Sequence, residues 1–192
     1  MDKQTVTPKM TNQKQTTDTK VTKLVVHYPA GESPDWVEPT HYQPYRFGIG
    51  KVSKRPLVAI CMNPSAARDQ SSDRTVNRVI SASKKLGYDG WVVFNTYPER
   101  ATDAVNMDAF DQVLSQENIA VISAFLREHE ITEVWGAGGD LKYEALRQGR
   151  DAILAVLKAQ GIKVFHFAEP TKAGNPRHPL YLKVEAERKR YL

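Results

Sequence analysis

The stretch PLVAICMNPSAARDQSSDRTVNR, residues 56–78, joins an apolar run to a polar loop and then to a segment with helical spacing. Residues 56–62 are apolar throughout, which is typical of a strand that is buried on both faces. Asn63-Pro64-Ser65 ends this strand, because proline cannot donate to a β-ladder and because asparagine and serine bond to nearby backbone. Two interpretations are open for the loop: a simple turn, or part of a ligand site.

The same alternation recurs along the chain. Apolar runs typical of buried strands occupy residues 56–62, 90–97, 133–138 and 163–167, and helical periodicity occupies residues 73–86, 117–129 and 140–160. Strands that alternate with helices and are apolar on both faces predict a parallel sheet covered by helices. The expected fold class is α/β, a three-layer α/β/α sandwich around a mostly parallel sheet of about four core strands.

The segments outside this core are less regular. Residues 23–28 predict a strand, residues 29–44 a proline-punctuated loop, and residues 45–52 a further strand at a sheet edge. The charged segment that follows residue 182 predicts a short terminal helix. These peripheral elements extend the expected core at both ends.

Capping residues predict where the helices begin and end. Asp73 or Ser72 is expected to cap the helix at residues 73–86, and Gly87 is expected to end it. Asp140 is expected to cap the helix that runs to Gln160. Each prediction depends on a side-chain oxygen that accepts a hydrogen bond from the first helical turn.

The net charge of the 192-residue chain is +5, and most of it lies near the N-terminus. Residues 1–23 contain five lysines and two aspartates, so they carry +3 and the remaining residues carry +2. Residues 1–22, rich in Thr, Gln and Lys, are expected to form a disordered polar tail before a single α/β domain at residues 23–192. The small charge of that domain argues against tight, sequence-independent binding to DNA.

Hydropathy and cysteine content predict a cytoplasmic protein without membrane contacts. No apolar run approaches the roughly 20 residues that span a bilayer, and the N-terminus lacks the apolar core of a signal peptide. Cys61 is the single cysteine and lies in an apolar strand. A reducing compartment and an inert, structural thiol are therefore expected.

Polar or glycine-rich segments follow each of the four predicted core strands. Because the carboxyl ends of parallel strands share one edge of a sheet, where ligands bind, these segments predict a pocket. The candidate substrate-binding residues are Pro64, Ser65, Asp73, Thr75, Asn95, Arg100, Gly136, Lys172, Arg177 and Tyr181. Structural interpretations stay open for single residues, since asparagine favours turns and the glycines of residues 136–139 suit a tight turn.

The candidate catalytic residues are Asn63 and His178. His178 stands between Arg177 and Pro179 with a further proline at Pro176, so its loop is stiff. A histidine there can donate a hydrogen bond or exchange a proton near neutral pH. No histidine pair has metal-ligand spacing, and neither a P-loop nor a G-x-S-x-G motif is present, so no metal and no cofactor are expected.

Four segments together carry a family resemblance: MNPSAARDQSSDRT, GYDGWVVFNTYPERATD, VWGAGG and TKAGNPRHPLYL. Over residues 45–182 they resemble the bacterial and phage family known as domain of unknown function 1643. This resemblance implies kinship and names no reaction.

A more distant likeness is to the uracil-DNA glycosylase superfamily, which places an asparagine segment after the first core strand and a His-Pro segment after the last. The likeness implies that Asn63 positions the attacking water, that His178 faces the base carbonyl or the developing anion, and that Asn95 reads the base. The sequence departs from that pattern at Cys61-Met62, in place of a glycine-rich approach, and by the lack of a serine after His-Pro.

The function implied is hydrolysis of an N-glycosidic bond. The substrate would be a free nucleobase derivative, nucleoside or nucleotide, or a base within nucleic acid. The alternative is a non-catalytic module that binds a nucleotide or another small ligand in the same crevice.

Overall fold

The computed structural model describes residues 25–103, 105, 107–183 and 187–192. Within these residues the chain forms the strands β1 (Trp36–Glu38), β2 (Gly48–Lys51), β3 (Pro56–Cys61), β4 (Gly90–Asn95), β5 (Glu133–Gly136), β6 (Lys163–Phe167) and β7 (Arg188–Arg190). The helices are α1 (Arg74–Lys85), α2 (Gln112–Glu128), α3 (Glu144–Ala159) and a short 3-10 helix at Pro179–Tyr181. The tail predicted at residues 1–22 lies outside the described residues.

The seven strands form one mixed sheet in the order β1-β2-β4-β3-β5-β6-β7. The four central strands are parallel, and Ile60 of β3 lies opposite Phe94 of β4 on one side and Gly136 of β5 on the other. Strands β1, β2 and β7 extend this centre in antiparallel pairings. The α/β class is therefore confirmed, and three antiparallel strands widen the sheet beyond the predicted core of about four strands.

Helices cover both faces of the central strands, because successive side chains of a strand point to opposite faces. On one face Leu57 and Ala59 of β3 are buried in a cluster with Val79 of α1. On the other face Val58 of β3 is buried with Ile153 of α3 and with side chains of α2. Full burial of an aliphatic side chain contributes about 1.5–3 kcal/mol, so both faces of β3 stabilise the fold.

Helix α1 begins as the sequence predicts, with Asp73 as its cap. The Asp73 carboxylate accepts a hydrogen bond from the Val76 N–H at 2.8 Å. At the other end Gly87 has φ +73°, a conformation that glycine adopts without a steric penalty. This cap fixes the position at which the loop after β3 turns into the helix.

The N-terminal strands differ from the prediction. The described part of residues 23–28 makes an isolated antiparallel bridge between Val26 and Ser72. Strand β2 lies between β1 and β4 and is not at the edge, which β1 occupies. Strand β1 forms within the predicted loop because its Trp36 ring packs over Gly48, where an added Cβ would lie 2.4 Å from the ring.

The C-terminal segment forms strand β7 in place of the predicted helix. Its backbone pairs with β6, and the Arg188 guanidinium lies 3.7 Å from the centre of the Phe165 ring. Arg188 also pairs with Glu133. Cation–π contact and ion pairing stabilise this charged edge strand, and lysines and arginines on an edge also discourage pairing with other chains.

Asp140 does not cap α3, contrary to the prediction. The helix begins at Glu144, and the residue before it, Tyr143, makes no side-chain cap hydrogen bond. The carboxylate of Asp140 instead bonds to Thr171 and Asn175 in the loop after β6.

In the part of the chain that the structure describes, no helix has the length and apolar character to cross a membrane.

Candidate functional site

A cleft of about 1150 Å³ lies at the carboxyl edge of the parallel strands. Its walls come from the loops that follow β3, β4, β5 and β6 and from the first turn of α1. Seven residues that the sequence singles out line this cleft: Asn63, Ser65, Asp73, Thr75, Arg177, His178 and Tyr181. The parallel pairing of the strands explains why loops so distant in sequence meet here.

Asn63 lines the cleft with its amide group anchored on one side. The Nδ2 atom donates hydrogen bonds to the carbonyl oxygens of Ala101 at 2.8 Å and Pro64 at 3.1 Å. The opposite amide orientation would set an oxygen against these two oxygens. No donor to Oδ1 is found among the described residues, so this atom is available as a hydrogen-bond acceptor.

His178 is half-buried at the start of the 3-10 helix. Its Nδ1 accepts a hydrogen bond from the Leu180 N–H at 3.4 Å, so the proton of the neutral ring lies on Nε2. Burial lowers the pKa of His178 below its ordinary value of 6.5, and the charge of Asp73 opposes that shift. The ring is therefore a neutral hydrogen-bond donor at neutral pH.

Asp73 joins the helix cap to the cleft wall. Its second carboxylate oxygen accepts from the Ala67 N–H at 3.4 Å, which ties the loop after β3 to the start of α1. Its negative charge acts in the direction that raises the pKa of His178 and of buried Arg46. One carboxylate thus positions the loop and partly offsets the effect of burial on the pKa of His178.

The structure places Asn95 in the core, away from the cleft in which it is expected to read a base. The side chain is 1% exposed at the end of β4 and is not part of the cleft wall. Its Oδ1 accepts a hydrogen bond from the guanidinium of Arg46 at 3.3 Å, and its backbone carbonyl accepts from Asn118. Asn95 is therefore a buried residue whose two oxygen atoms both accept hydrogen bonds from buried side chains.

Four other predicted binding residues also lie outside the cleft wall: Pro64, Arg100, Gly136 and Lys172. Pro64 is buried, and Lys172 is exposed. Arg100 donates to the carbonyl oxygens of Ser65 and Ala67 at 3.0 and 3.1 Å, so it supports the loop from behind. Gly136 belongs to β5, where an added Cβ would lie 3.0 Å from Val164.

Arg46 is a supporting residue that the sequence interpretation missed. It is 1% exposed, and it donates to the Ala67 carbonyl at 3.0 Å as well as to Asn95. Burial lowers its pKa to about 10, and within the described ranges it pairs with no carboxylate. The sequence around Arg46 does not indicate that this arginine is buried, because its hydrogen-bond partners lie 21 and 49 residues away along the chain.

A polar network braces the loop that carries His178. The Asp140 carboxylate accepts from the Thr171 hydroxyl at 2.5 Å and from Asn175 Nδ2 at 3.0 Å. Asn175 in turn accepts from Arg150 at 2.9 Å. The bonds from Thr171 and Asn175 lower the pKa of Asp140. Only the meeting of the β5 and β6 loops brings these groups together, so spacing along the chain does not reveal them.

The cleft also contains charged and aromatic residues that the sequence interpretation did not select as binding groups: Arg74, Asp103, Asp140, Lys142 and Tyr143. Arg74 and Lys142 are exposed, and Tyr143 is half-buried. Over the residues that the structure describes, no group of three or more His, Cys, Asp or Glu side chains is placed to hold a metal ion. The residues that line the cleft offer hydrogen-bonding groups, aromatic rings and charged side chains.

Comparison with known proteins gives a family. Residues 46–180 match the family described as protein of unknown function (DUF1643). No curated protein and no solved structure matches the chain. The matched range contains Asn63, Asp73 and His178, and it ends one residue before Tyr181 of the cleft wall. Because the match covers well over half of its residues, the chain belongs to the DUF1643 family.

Proposed function

We propose that the chain hydrolyses the N-glycosidic bond of a small nucleobase-containing ligand that binds in the cleft. The observation that carries the proposal is the amide of Asn63. Its Nδ2 is held by two backbone carbonyls, its Oδ1 has no donor among the described residues, and it lines the same cleft as His178. An anchored acceptor of this kind can hold a water molecule in one orientation.

We assign one role in this hydrolysis to Asn63 and another to His178. Asn63 Oδ1 accepts a hydrogen bond from the water, which leaves an oxygen lone pair free to attack the sugar carbon C1′. A C1′–O bond forms while the C1′–N bond breaks, and its electron pair leaves with the base. The Nε2–H of His178 donates a hydrogen bond to the base as negative charge develops on it. One hydrogen of the water ends on the base, and the hydroxyl group ends on the sugar.

The size and lining of the cleft suit a ligand of nucleoside or nucleotide size. Its volume of about 1150 Å³ exceeds that of a typical small-molecule pocket, so sugar and base fit together. Tyr143 and Tyr181 add aromatic surface on which a base can stack, and the Tyr181 side chain is 80% exposed. The small net charge outside residues 1–23 favours a free small molecule over duplex DNA.

The distant likeness to the uracil-DNA glycosylase superfamily supports the same assignment. We take from it a three-layer arrangement of that type, with Asn63 after the first core strand and His178 after the last. We also place this enzyme in the cytoplasm. Burial raises the pKa of the single thiol, Cys61, to about 12, so the thiol is unreactive, and a chain with one buried cysteine suits a reducing compartment.

A non-catalytic binding module is the second candidate function. The observation that favours it is the occupation of the carboxylates in the cleft. Oxygens of Asp73, Asp103 and Asp140 all accept hydrogen bonds from protein donors, which leaves these groups less suited to act as a general base. Such a module would use the same cleft and the same ligands without breaking a bond.

The release of free base separates the two functions. The full chain is incubated with a panel of nucleosides and nucleotides, and released base is measured by chromatography beside a binding titration. We expect release by the wild type and a loss of at least about 100-fold in Asn63→Ala, with ligand affinity changed less than tenfold. His178→Gln should lower release, whereas His41→Gln, at an exposed histidine, should not. Binding without release by the wild type would assign the module function and overturn the enzyme.

A further inference from the structure

The acidic side chains of the cleft wall accept hydrogen bonds from the protein itself, whereas several of its basic side chains have donors without a partner among the described residues. The carboxylate oxygens of Asp73 accept from the Val76 and Ala67 N–H groups. At Asp140 a single oxygen, Oδ1, accepts from both Thr171 and Asn175. The acidic side chains of the wall are thus partly occupied by the protein itself.

The cations of the same wall have free donors. Arg177 uses only Nε, which donates to the Glu169 carbonyl at 2.8 Å, so its two terminal nitrogens have no partner in the described ranges. Lys142 and Arg74 also make no side-chain hydrogen bond or ion pair among the described residues, and both are exposed. A guanidinium fixed through Nε presents its two terminal nitrogens as a fork, which matches phosphate geometry.

Lys142 and Arg177 line the same cleft as Asp140. Both charges act on that carboxylate and lower its pKa, although its hydrogen bonds come from Thr171 and Asn175. Arg177 also acts on Glu169, but that carboxylate is paired with Lys189. Lys142 and Arg177 together therefore outweigh the single charge of Asp140 and leave positive charge at this end of the cleft. A negatively charged ligand group with several hydrogen-bond acceptors would balance this charge and accept from the free donors.

The wall behind the Asn63 loop adds to this imbalance. Arg46 and Arg100 both donate to the Ala67 carbonyl, and within the described part of the chain neither pairs with a carboxylate. The Nε atom of each is buried without a hydrogen-bond partner. The charge of Asp73 acts on both guanidiniums, but that carboxylate also accepts from backbone N–H groups, so two desolvated cations are set against one carboxylate and favour the binding of an anion nearby.

We propose that the ligand of the cleft is a nucleoside monophosphate, and that Lys142 and Arg177 hold its phosphate. This inference rests on the proposed function and names its substrate class: a free mononucleotide rather than an uncharged nucleoside. The phosphate lies at the Asp140 end of the cleft, and the base and sugar lie toward Asn63 and His178. Charge-assisted hydrogen bonds to the phosphate then favour a monophosphate over the nucleoside that carries the same base.

The test compares matched ligands by titration calorimetry with the full chain. The probes are each nucleoside, its 5′-monophosphate, inorganic phosphate and a short single-stranded oligonucleotide. At least one monophosphate should bind about tenfold or more tightly than its nucleoside, and higher salt should weaken that preference. Arg177→Gln and Lys142→Gln should each remove most of the preference. Lys158→Gln, which removes an exposed charge on α3 outside the cleft wall, should retain it.

The other outcomes are distinct. Equal affinity for nucleosides and monophosphates would overturn this inference while the proposed function stands. An equal loss of affinity for both ligands in Arg177→Gln and Lys142→Gln would also overturn it, and so would tight binding of the oligonucleotide alone. The absence of binding by any nucleoside, nucleotide or oligonucleotide would overturn the inference and the proposed function together.

Discussion

Gly139 and His178 are in direct contact: a Cβ atom added to Gly139 would lie 2.8 Å from the Cβ of His178. Gly139 also has φ +70°, where other residues are strained. The loop after β5 and the loop after β6 can therefore approach this closely only with glycine at position 139. This contact places His178 in the cleft wall.

Gly139→Ala should be more destabilising than Gly161→Ala. Both glycines have nearly the same positive φ, +70° and +71°, so each alanine costs about 1–2 kcal/mol from backbone strain. An added Cβ at Gly161 meets nothing within 4 Å, whereas at Gly139 it meets His178, which should add about 1–3 kcal/mol. Urea unfolding of the two variants measures the difference. Equal free energies of unfolding would show that His178 moves aside freely.

The protein should lose stability through His178 as pH falls below about 6.5. Burial lowers the pKa of His178 in the folded state, so the unfolded chain binds its proton first. The resulting penalty grows as pH falls from the unfolded pKa toward the lower folded pKa. His178→Gln should therefore show a shallower decline of the free energy of unfolding between pH 7 and pH 5. Parallel curves for the two proteins would contradict the shift.

Asp73→Asn should separate the cap of α1 from the charge in the cleft. Asparagine caps helices nearly as well as aspartate, but its Nδ2 cannot accept the long 3.4 Å bond from the Ala67 N–H, so the free energy of unfolding should fall by about 1 kcal/mol. Loss of the negative charge should lower the pKa of His178 further, because that charge raises it. NMR titration of the histidine ring measures this pKa. Asp73→Ala is the control that removes cap and charge together and should cost about 0.5–2 kcal/mol.

Thr171→Val should loosen the loop that carries His178. The substitution removes the hydroxyl that donates to Asp140, so the pKa of Asp140 should rise toward its ordinary value of 3.8. Ligand binding should weaken, and Thr171→Ser should restore both properties because serine keeps the hydroxyl. Carboxyl NMR titration and calorimetry check the two effects. If the pKa of Asp140 stays at its ordinary value in Thr171→Ser, the hydroxyl bond is not the cause of the lowered pKa in the wild type.

The sequence predicts the centre of this fold because local signals suffice there. The continuous apolar run of β3 requires cover on both faces, and Asp73 lies in the position that caps α1. Strands β1 and β7 escape prediction because their stability comes from partners distant in sequence. Trp36 packs on Phe94 and Phe125, and Arg188 packs on Phe165.

The cleft is partly predictable for the same reason. Parallel strands bring their following loops to one edge, which is enough to bring Asn63 and His178 to one cleft. Topology does not say which side chains turn inward. Asn95 turns into the core because Arg46 bonds to it there, and Asp140 bonds across two loops rather than capping α3.

The most direct test of the account is an NMR titration that locates the bound ligand. Nucleoside monophosphates are added to the labelled protein, and the Asn63 side-chain amide and the histidine rings are followed. The account predicts saturable shifts at Asn63 and His178, with none at His129, which lines a separate groove beside Asp35 and Glu128. Shifts confined to His129, or no saturable shift at Asn63 and His178 with any member of the panel, would contradict it.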